Sequence, residues 1–223
     1  MKDHRTDTEK VKGLRREYER DGISEETVRE DPIDQFTIWF EEALNSDMAD
    51  ANAMTLATAS ADGKPSSRIV LLKGFDEEGF HFYTNYNSRK GRELAENPYA
   101  ALCFYWPALE RQVRIEGRVR KLPREQSAGY FQSRPRDSQI GAWASEQSSE
   151  IKNRDELKAK FDELNQRFEG QEVPCPPFWG GYNLRPRTIE FWQGRAGRLH
   201  DRIVYSRPVS SEQGKWRIKR LNP

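Results

Sequence analysis

The chain has 223 residues, with 37 Lys and Arg against 36 Asp and Glu, for a formal net charge of +1. So balanced a charge gives no bulk attraction to nucleic acid or to an anionic membrane, and any anion site has to come from a local cluster. Two cysteines, Cys103 and Cys175, exclude a disulfide framework, and His4, His81 and His200 have no metal-ligand spacing with them or with one another. No metal site is expected. The N-terminus is charged and lacks an apolar signal core, and no run approaches the ~18 apolar residues of a membrane helix, so a cytoplasmic location is expected.

Residues 1–30 are dense in charge and carry one aromatic, Tyr18. They are expected to form a flexible arm with a short helix over residues 14–20, ahead of a single domain over residues 31–223. Asp31-Pro32 starts a helix with Phe36, Trp39, Phe40 and Leu44 on one face. Strands are expected over 53–60 and 67–73, joined by a hairpin turn at Asp62-Gly63, then over 80–84, 99–106 and 111–122. Ser88 caps a helix to Glu96, and Pro123 opens one reaching Phe131. Residues 154–169 carry a narrow apolar stripe, Leu157, Phe161, Leu164 and Phe168, expected in core or dimer packing. Strands resume at 188–193, 202–206 and 216–221. Many short strands with few helices predict a mainly β (α+β) barrel with flanking helices.

Five clusters carry candidate chemistry. Arg68 and Lys73 flank the apolar run Ile69, Val70, Leu71 and Leu72. Strand alternation sends the two cations to opposite faces. Either they have partners that offset their desolvation, or both lie at strand ends and reach solvent. Next, a strand ends at Tyr83-Thr84, and Ser88-Arg89-Lys90 opens a helix. Cations in a first turn oppose the helix dipole, so local stability does not account for them, whereas a helix start with Arg and Lys makes a phosphate cradle. The plainer alternative is a basic surface turn. Tyr130, Arg134 and Ser138 offer hydroxyls and a guanidinium fork for a second phosphate, or simply mark a helix end stopped by Pro135. Gln147-Ser148-Ser149 has the composition of a turn. Last, Trp192 offers a flat stacking face, and Arg195, Arg198, His200 and Arg202 follow within ten residues. Arg202 could hold an electron-rich ring, and Arg198 with His200 could sit over a substrate, against the plainer alternative of a structural histidine.

Taken in order, RIVLLK (68–73), YTNYNSRKG (83–91), LERQVRIEG (109–117), YFQSRPRDSQIGAW (130–143), SEQSS (145–149), PFWGGY (177–182), EFWQG (190–194) and RLHDR (198–202) resemble the pyridoxamine 5′-phosphate oxidase family. The resemblance runs from about residue 30 to the closing Arg220-Leu221-Asn222-Pro223 and touches the arm at Leu14-Arg15-Arg16-Glu17-Tyr18. It implies an FMN-binding split β-barrel, an antiparallel Greek-key barrel, working as a homodimer with FMN at the subunit interface. It implies FMN contacts from Arg68, Ile69, Val70, Leu71, Leu72 and Lys73; from Tyr83, Thr84, Arg89 and Lys90; and from Gln112, Gln147, Ser148, Trp192 and Arg202. Lys73, Tyr130, Arg134 and Ser138 match positions that hold the substrate phosphate. Arg198, Leu199 and His200 match the segment against the pyridine ring, with Arg198 and His200 as catalytic candidates. Arg15 and Tyr18 match arm residues that close over the substrate.

The implied reaction takes pyridoxamine 5′-phosphate or pyridoxine 5′-phosphate to pyridoxal 5′-phosphate. A hydride passes from the substrate's C4′ to flavin N5, O₂ takes up the two electrons as H₂O₂, and the amine's imine hydrolyses to aldehyde and ammonia. Neither nucleic acid nor membrane is implied as a partner. The rivals are a split-barrel FMN oxidoreductase with another substrate, and a non-enzymatic binder of pyridoxal phosphate or of RNA through the Arg-rich strand 111–120.

Overall fold

The computed structural model describes Gly13, residues 17–208 and residues 214–223. Asp31 starts the first helix, α1 (Pro32–Leu44): its side chain accepts from the Ile33 amide at 2.7 Å, and Pro32 takes the first turn, where a missing N–H costs nothing. Phe36, Trp39 and Ala43 are buried, whereas Leu44 is 57% exposed. At about 100° per residue, Leu44 stands roughly 80° round from Phe36. Ala43 occupies the face expected of it.

Among the described residues, nine strands form one curled antiparallel sheet in the order β2-β1-β5-β6-β7-β4-β3, with β8 pairing β7 and β9. β1 (Ala53–Ala59) and β2 (Pro65–Leu71) are joined by the predicted hairpin turn, in which Gly63 adopts φ 81°, a conformation that favours glycine. β3 (Gly74–Asp76) and β4 (Gly79–Asn85) follow, then β5 (Tyr99–Trp106) and β6 (Arg111–Lys121), both close to expectation. β7 (Trp179–Gln193) is followed by β8 (Asp201–Ser206) and β9 (Arg217–Arg220). α1 closes the concave side. Phe36 meets Phe80 edge-on at 4.9 Å, and Trp39 meets Phe191 at 5.2 Å. Full burial of one such side chain contributes about 1.5–3 kcal/mol, so these aromatic contacts hold α1 against the sheet.

Among the described residues, four more α-helices flank the sheet: α2 (Arg89–Glu96), α3 (Arg124–Gln132), α4 (Arg136–Ala144) and α5 (Arg154–Arg167). α2 to α5 agree with the split-barrel expectation of helices outside the barrel. A second apolar cluster, Phe131, Ile140, Phe168, Val173 and Trp179, packs where α3 and α4 meet the start of β7, with Phe161 and Leu164 of α5 against it. Leu157 is 37% exposed, so the α5 stripe is only partly packed within one chain.

The structure departs from the sequence-based expectations at further places. β7 begins at Trp179, nine residues before the expected strand; Gly180, Gly181 and Pro186 look like breakers. The glycines are there because a Cβ on them would lie 2.2 Å from the Tyr86 hydroxyl and 2.5 Å from Leu122. Pro186 sits opposite Gly117, where the β6–β7 register shifts. Pro135 ends α3 as expected, but it also opens α4, which the sequence did not announce. β2 ends at Leu71, so Lys73 is not on it. The Leu72 and Lys73 amides instead donate to Asn52 O and His81 O, which turns the chain and breaks the alternation. Residues 17–20 are not helical, and residues 14–16 lie outside the described residues.

No helix among the described residues is long and apolar enough to cross a membrane.

Candidate active site

A cavity of about 850 Å³ opens between β2, the end of β4, the start of α2 and the α3–α4 pair. Its size lies within the range of small-ligand pockets. Arg68, Ile69, Val70, Leu71 and Lys73 line one side. Arg68 and Lys73 thus face one space, and the expected opposition fails because the strand ends between them. Leu72 points into the barrel core and is buried. Tyr83, Thr84, Arg89 and Lys90 line the floor, with Gln147 and Ser148 beside them.

Ser88 caps α2, its side chain accepting from the Gly91 amide, so Arg89 and Lys90 stand in the first turn where bare amides also point outward. No acidic residue occupies that turn. Lys90 is buried, and its Nζ donates to Gln147 Oε1 (2.9 Å), Thr84 Oγ1 (3.1 Å) and Ser88 Oγ (3.4 Å). Burial and the neighbouring Arg68 pull its pKa down to about 8. The charge of an incoming anion would oppose both effects and favour the protonated ammonium.

Tyr130, Arg134 and Ser138 line the opposite wall. Tyr83 stacks on Tyr130 at 4.0 Å and on Trp179 at 5.4 Å, and the Arg134 guanidinium lies 4.7 Å from the Trp179 ring. Arg134 Nη1 is buried without a hydrogen-bond partner. A buried guanidinium N–H left open in a cavity is an anion donor held ready. Trp179, Ser66 and Asn85 also line the cavity, and sequence reasoning had not singled them out. Only the PFWGGY motif pointed at Trp179.

The remaining predicted residues gather elsewhere. Gln112, Trp192 and Arg202 form a row across β6, β7 and β8, paired Gln112 to Trp192 and Trp192 to Arg202. Arg202 donates through Nε and Nη2 to the Glu190 carboxylate at 3.1 and 2.9 Å, and Arg114 donates to the same carboxylate. Trp192 lies 4.7 Å from the His200 ring, and Tyr18 meets both rings edge-on at 5.7 and 5.5 Å. The segment carrying Tyr18 is tied down: the Glu19 and Arg20 amides donate to Glu110 Oε2, the Ile23 amide to Asp201 Oδ2, and Arg220 bonds Ile23 O and Glu25. Arg15 lies outside the described residues.

The Arg195 amide donates to His200 Nδ1 at 3.1 Å. Neutral His200 therefore carries its proton on Nε2. Burial, then the Arg198 charge, lowers its pKa. Arg198 and Leu199 are exposed, and Arg198 adopts φ 62° beside Gly197 at 63°. A non-glycine residue there stores about 1–3 kcal/mol of strain.

Two family models match the chain. One described as "Pyridoxamine 5'-phosphate oxidase" covers residues 40–168, and one described as "Pyridoxine 5'-phosphate oxidase C-terminal dimerisation region" covers 179–223. A pyridoxine/pyridoxamine 5′-phosphate oxidase of Rubrobacter xylanophilus is 58% identical over 95% of both chains. One of Salinibacter ruber is 54% identical over 96% of this chain and 99% of its own. Among solved structures, PhzG from Burkholderia lata, in complex with tetrahydrophenazine-1-carboxylic acid, superposes with a TM-score of 0.83 at 32% identity over 89% of this chain and 95% of its own. A pyridoxamine 5′-phosphate oxidase-related, FMN-binding protein of Nostoc punctiforme shares the fold at a TM-score of 0.66 and 19% identity, over 84% of this chain and 97% of its own.

Proposed function

This chain belongs to the pyridoxamine 5′-phosphate oxidase family, and we propose that it oxidises pyridoxamine 5′-phosphate and pyridoxine 5′-phosphate to pyridoxal 5′-phosphate with FMN and O₂. One observation carries the reading: a single cavity holds two separate sets of cations and hydroxyls. Arg68, Arg89 and Lys90 come from β2 and α2, and Tyr130, Arg134 and Ser138 from α3, the α3–α4 link and α4. Cofactor and substrate each bring a phosphate, and the open Arg134 Nη1 fits an anion on the second set.

When bound, FMN supplies the redox chemistry, taking a hydride equivalent from the substrate's C4′ carbon and returning two electrons to O₂. The chain supplies binding and orientation. Arg89, Lys90 and the amides of the first α2 turn hold the cofactor phosphate, with Arg68, Thr84, Gln147 and Ser148 alongside. Lys73, Tyr130, Arg134 and Ser138 hold the substrate phosphate. That clamp is remote from the reacting carbon, so its binding energy serves to hold the ring in place. Arg198 and His200 act on the substrate ring, His200 as a donor through Nε2, while Gln112, Trp192 and Arg202 face the flavin.

The second group reaches the cavity from a second copy of the chain. Trp179 and Trp192 sit at opposite ends of β7, separated by about 43 Å of strand at roughly 3.3 Å per residue. The sheet face that carries the polar Gln112–Trp192–Arg202 row also exposes the apolar side chains Ile69, Leu71 and Tyr105, a mixed surface suited to an isologous partner. The match of 179–223 to a dimerisation region supports the same arrangement.

The test is aerobic turnover of the FMN-loaded protein with pyridoxamine 5′-phosphate, following aldehyde and H₂O₂ together. Equal amounts of both are expected. Retained FMN with neither product overturns the reading and favours a flavoprotein with another substrate. The phenazine-type acid bound by PhzG is the first alternative to try, because it makes no use of a phosphate clamp.

A further inference from the structure

A charge of the wrong sign sits behind the cationic end of the cavity. Glu93 lies on α2, buried. Its Oε2 accepts from Thr58 Oγ1 at 2.5 Å and Ser66 Oγ at 2.6 Å, with Arg68 Nη2 at 3.4 Å, and its Oε1 accepts from Arg89 Nε at 2.9 Å. The two hydroxyls are used twice. Arg68 donates through Nη1 to Thr58 Oγ1 at 2.6 Å and to Leu56 O at 3.3 Å, and through Nη2 to Ser66 Oγ at 2.6 Å.

A hydroxyl has one proton. Once Thr58 and Ser66 have given theirs to Glu93, their lone pairs face Arg68. The carboxylate thereby sets the direction of both hydroxyls and the seat of the guanidinium. Burial alone raises a carboxylate's pKa, but the bonds from Ser66, Thr58 and Arg89 outweigh it and hold Glu93 at about 2. It is ionised throughout the neutral range.

We propose that Glu93 is a positioning residue for the cofactor's phosphate: it does not touch the ligand, but it locks Arg68 and Arg89, which line the cavity, in their binding rotamers. The inference rests on the FMN reading of the cavity. Two views of Glu93 give opposite signs. As a bare charge it repels a phosphate dianion, so removing it tightens binding. As a positioner it holds two long side chains still, and removing it restores their rotamer freedom and loosens binding.

The experiment titrates the full-length, flavin-stripped protein with FMN and with riboflavin, which lacks the phosphate, and reads flavin fluorescence. Glu93→Met is expected to weaken FMN roughly tenfold, as for loss of charge-assisted hydrogen bonds, while riboflavin stays within about twofold. Glu93→Gln, which keeps an acceptor for the hydroxyls, falls between wild type and Glu93→Met. Thr58→Val, which removes one relay hydroxyl at nearly constant shape, shows the same FMN-selective loss and covers the case in which Glu93→Met does not fold. A merely structural role moves both flavins together. FMN affinity unchanged or tightened in the folded variants overturns the inference. Wild-type protein that binds FMN no better than riboflavin overturns the FMN reading beneath it, so the two failures are distinct.

Discussion

Replacing Arg134 with Ala is expected to raise KM for pyridoxamine 5′-phosphate by about 100-fold, or about 2.7 kcal/mol, the scale of losing a bidentate charge-assisted contact. The guanidinium lies against Trp179 with Nη1 buried and unpaired, so its loss removes a donor that no intramolecular bond occupies. kcat falls too, because the phosphate's binding energy is what holds C4′ in place. Pyridoxamine without its phosphate gains nothing from Arg134 and should be turned over equally by wild type and variant. Arg134→Lys keeps the charge but loses the fork and the planar stack on Trp179, so it recovers only part of the affinity. Steady-state kinetics on the two substrates checks this. An equal loss on both would show that Arg134 supports the fold of the site and not the phosphate.

Arg198→Ala is expected to lower kcat by about 100-fold, on the order of what mispositioning a substrate costs, with FMN still bound. Arg198 is exposed and free of the cavity's phosphate cradle, so nothing ties it to cofactor retention. Its left-handed φ of 62° complicates the test, because loop shape and side chain change together in some variants. Ala keeps the strain, whereas Gly relieves it. Equal losses in Arg198→Ala and Arg198→Gly assign the effect to the guanidinium. Activity kept by Gly alone assigns it to the loop. Removing the Arg198 charge also lifts one of the two causes that depress His200, so the imidazole pKa should rise in either variant, as read by NMR titration.

Much of the frame was legible in the chain, because strand alternation and turn residues act locally. β5 and β6 fell close to their predicted limits, and Arg89-Lys90 stood out because cations at a helix start work against the dipole. Parity failed for Arg68 and Lys73, since it presumes an unbroken strand, and the break is made by Asn52 and His81, which are distant in sequence. The first half of β7 was hidden by Gly180, Gly181 and Pro186, whose reasons lie in the Tyr86 ring, in Leu122 and in a β6 irregularity. Glu93 could not have been found: its role depends on Thr58 and Ser66, each meaningless until two strands and a helix meet. A site shared between two chains was implied by the resemblance, but which residues fall in which group was not legible, because a linear motif list does not show how far β7 carries Trp192 from Trp179.

That span of β7 lends itself to subunit complementation. In the proposed dimer each site takes its phosphate clamp from one chain and its ring-facing loop from the other. Arg134→Ala and Arg198→Ala chains, each crippled alone, would then repair one another when unfolded together and reassembled. Random pairing makes half of the dimers mixed, and each mixed dimer has one site with both halves intact and one with both damaged, so activity returns to about a quarter of wild type. If both halves of a site came from a single chain, mixing would restore nothing.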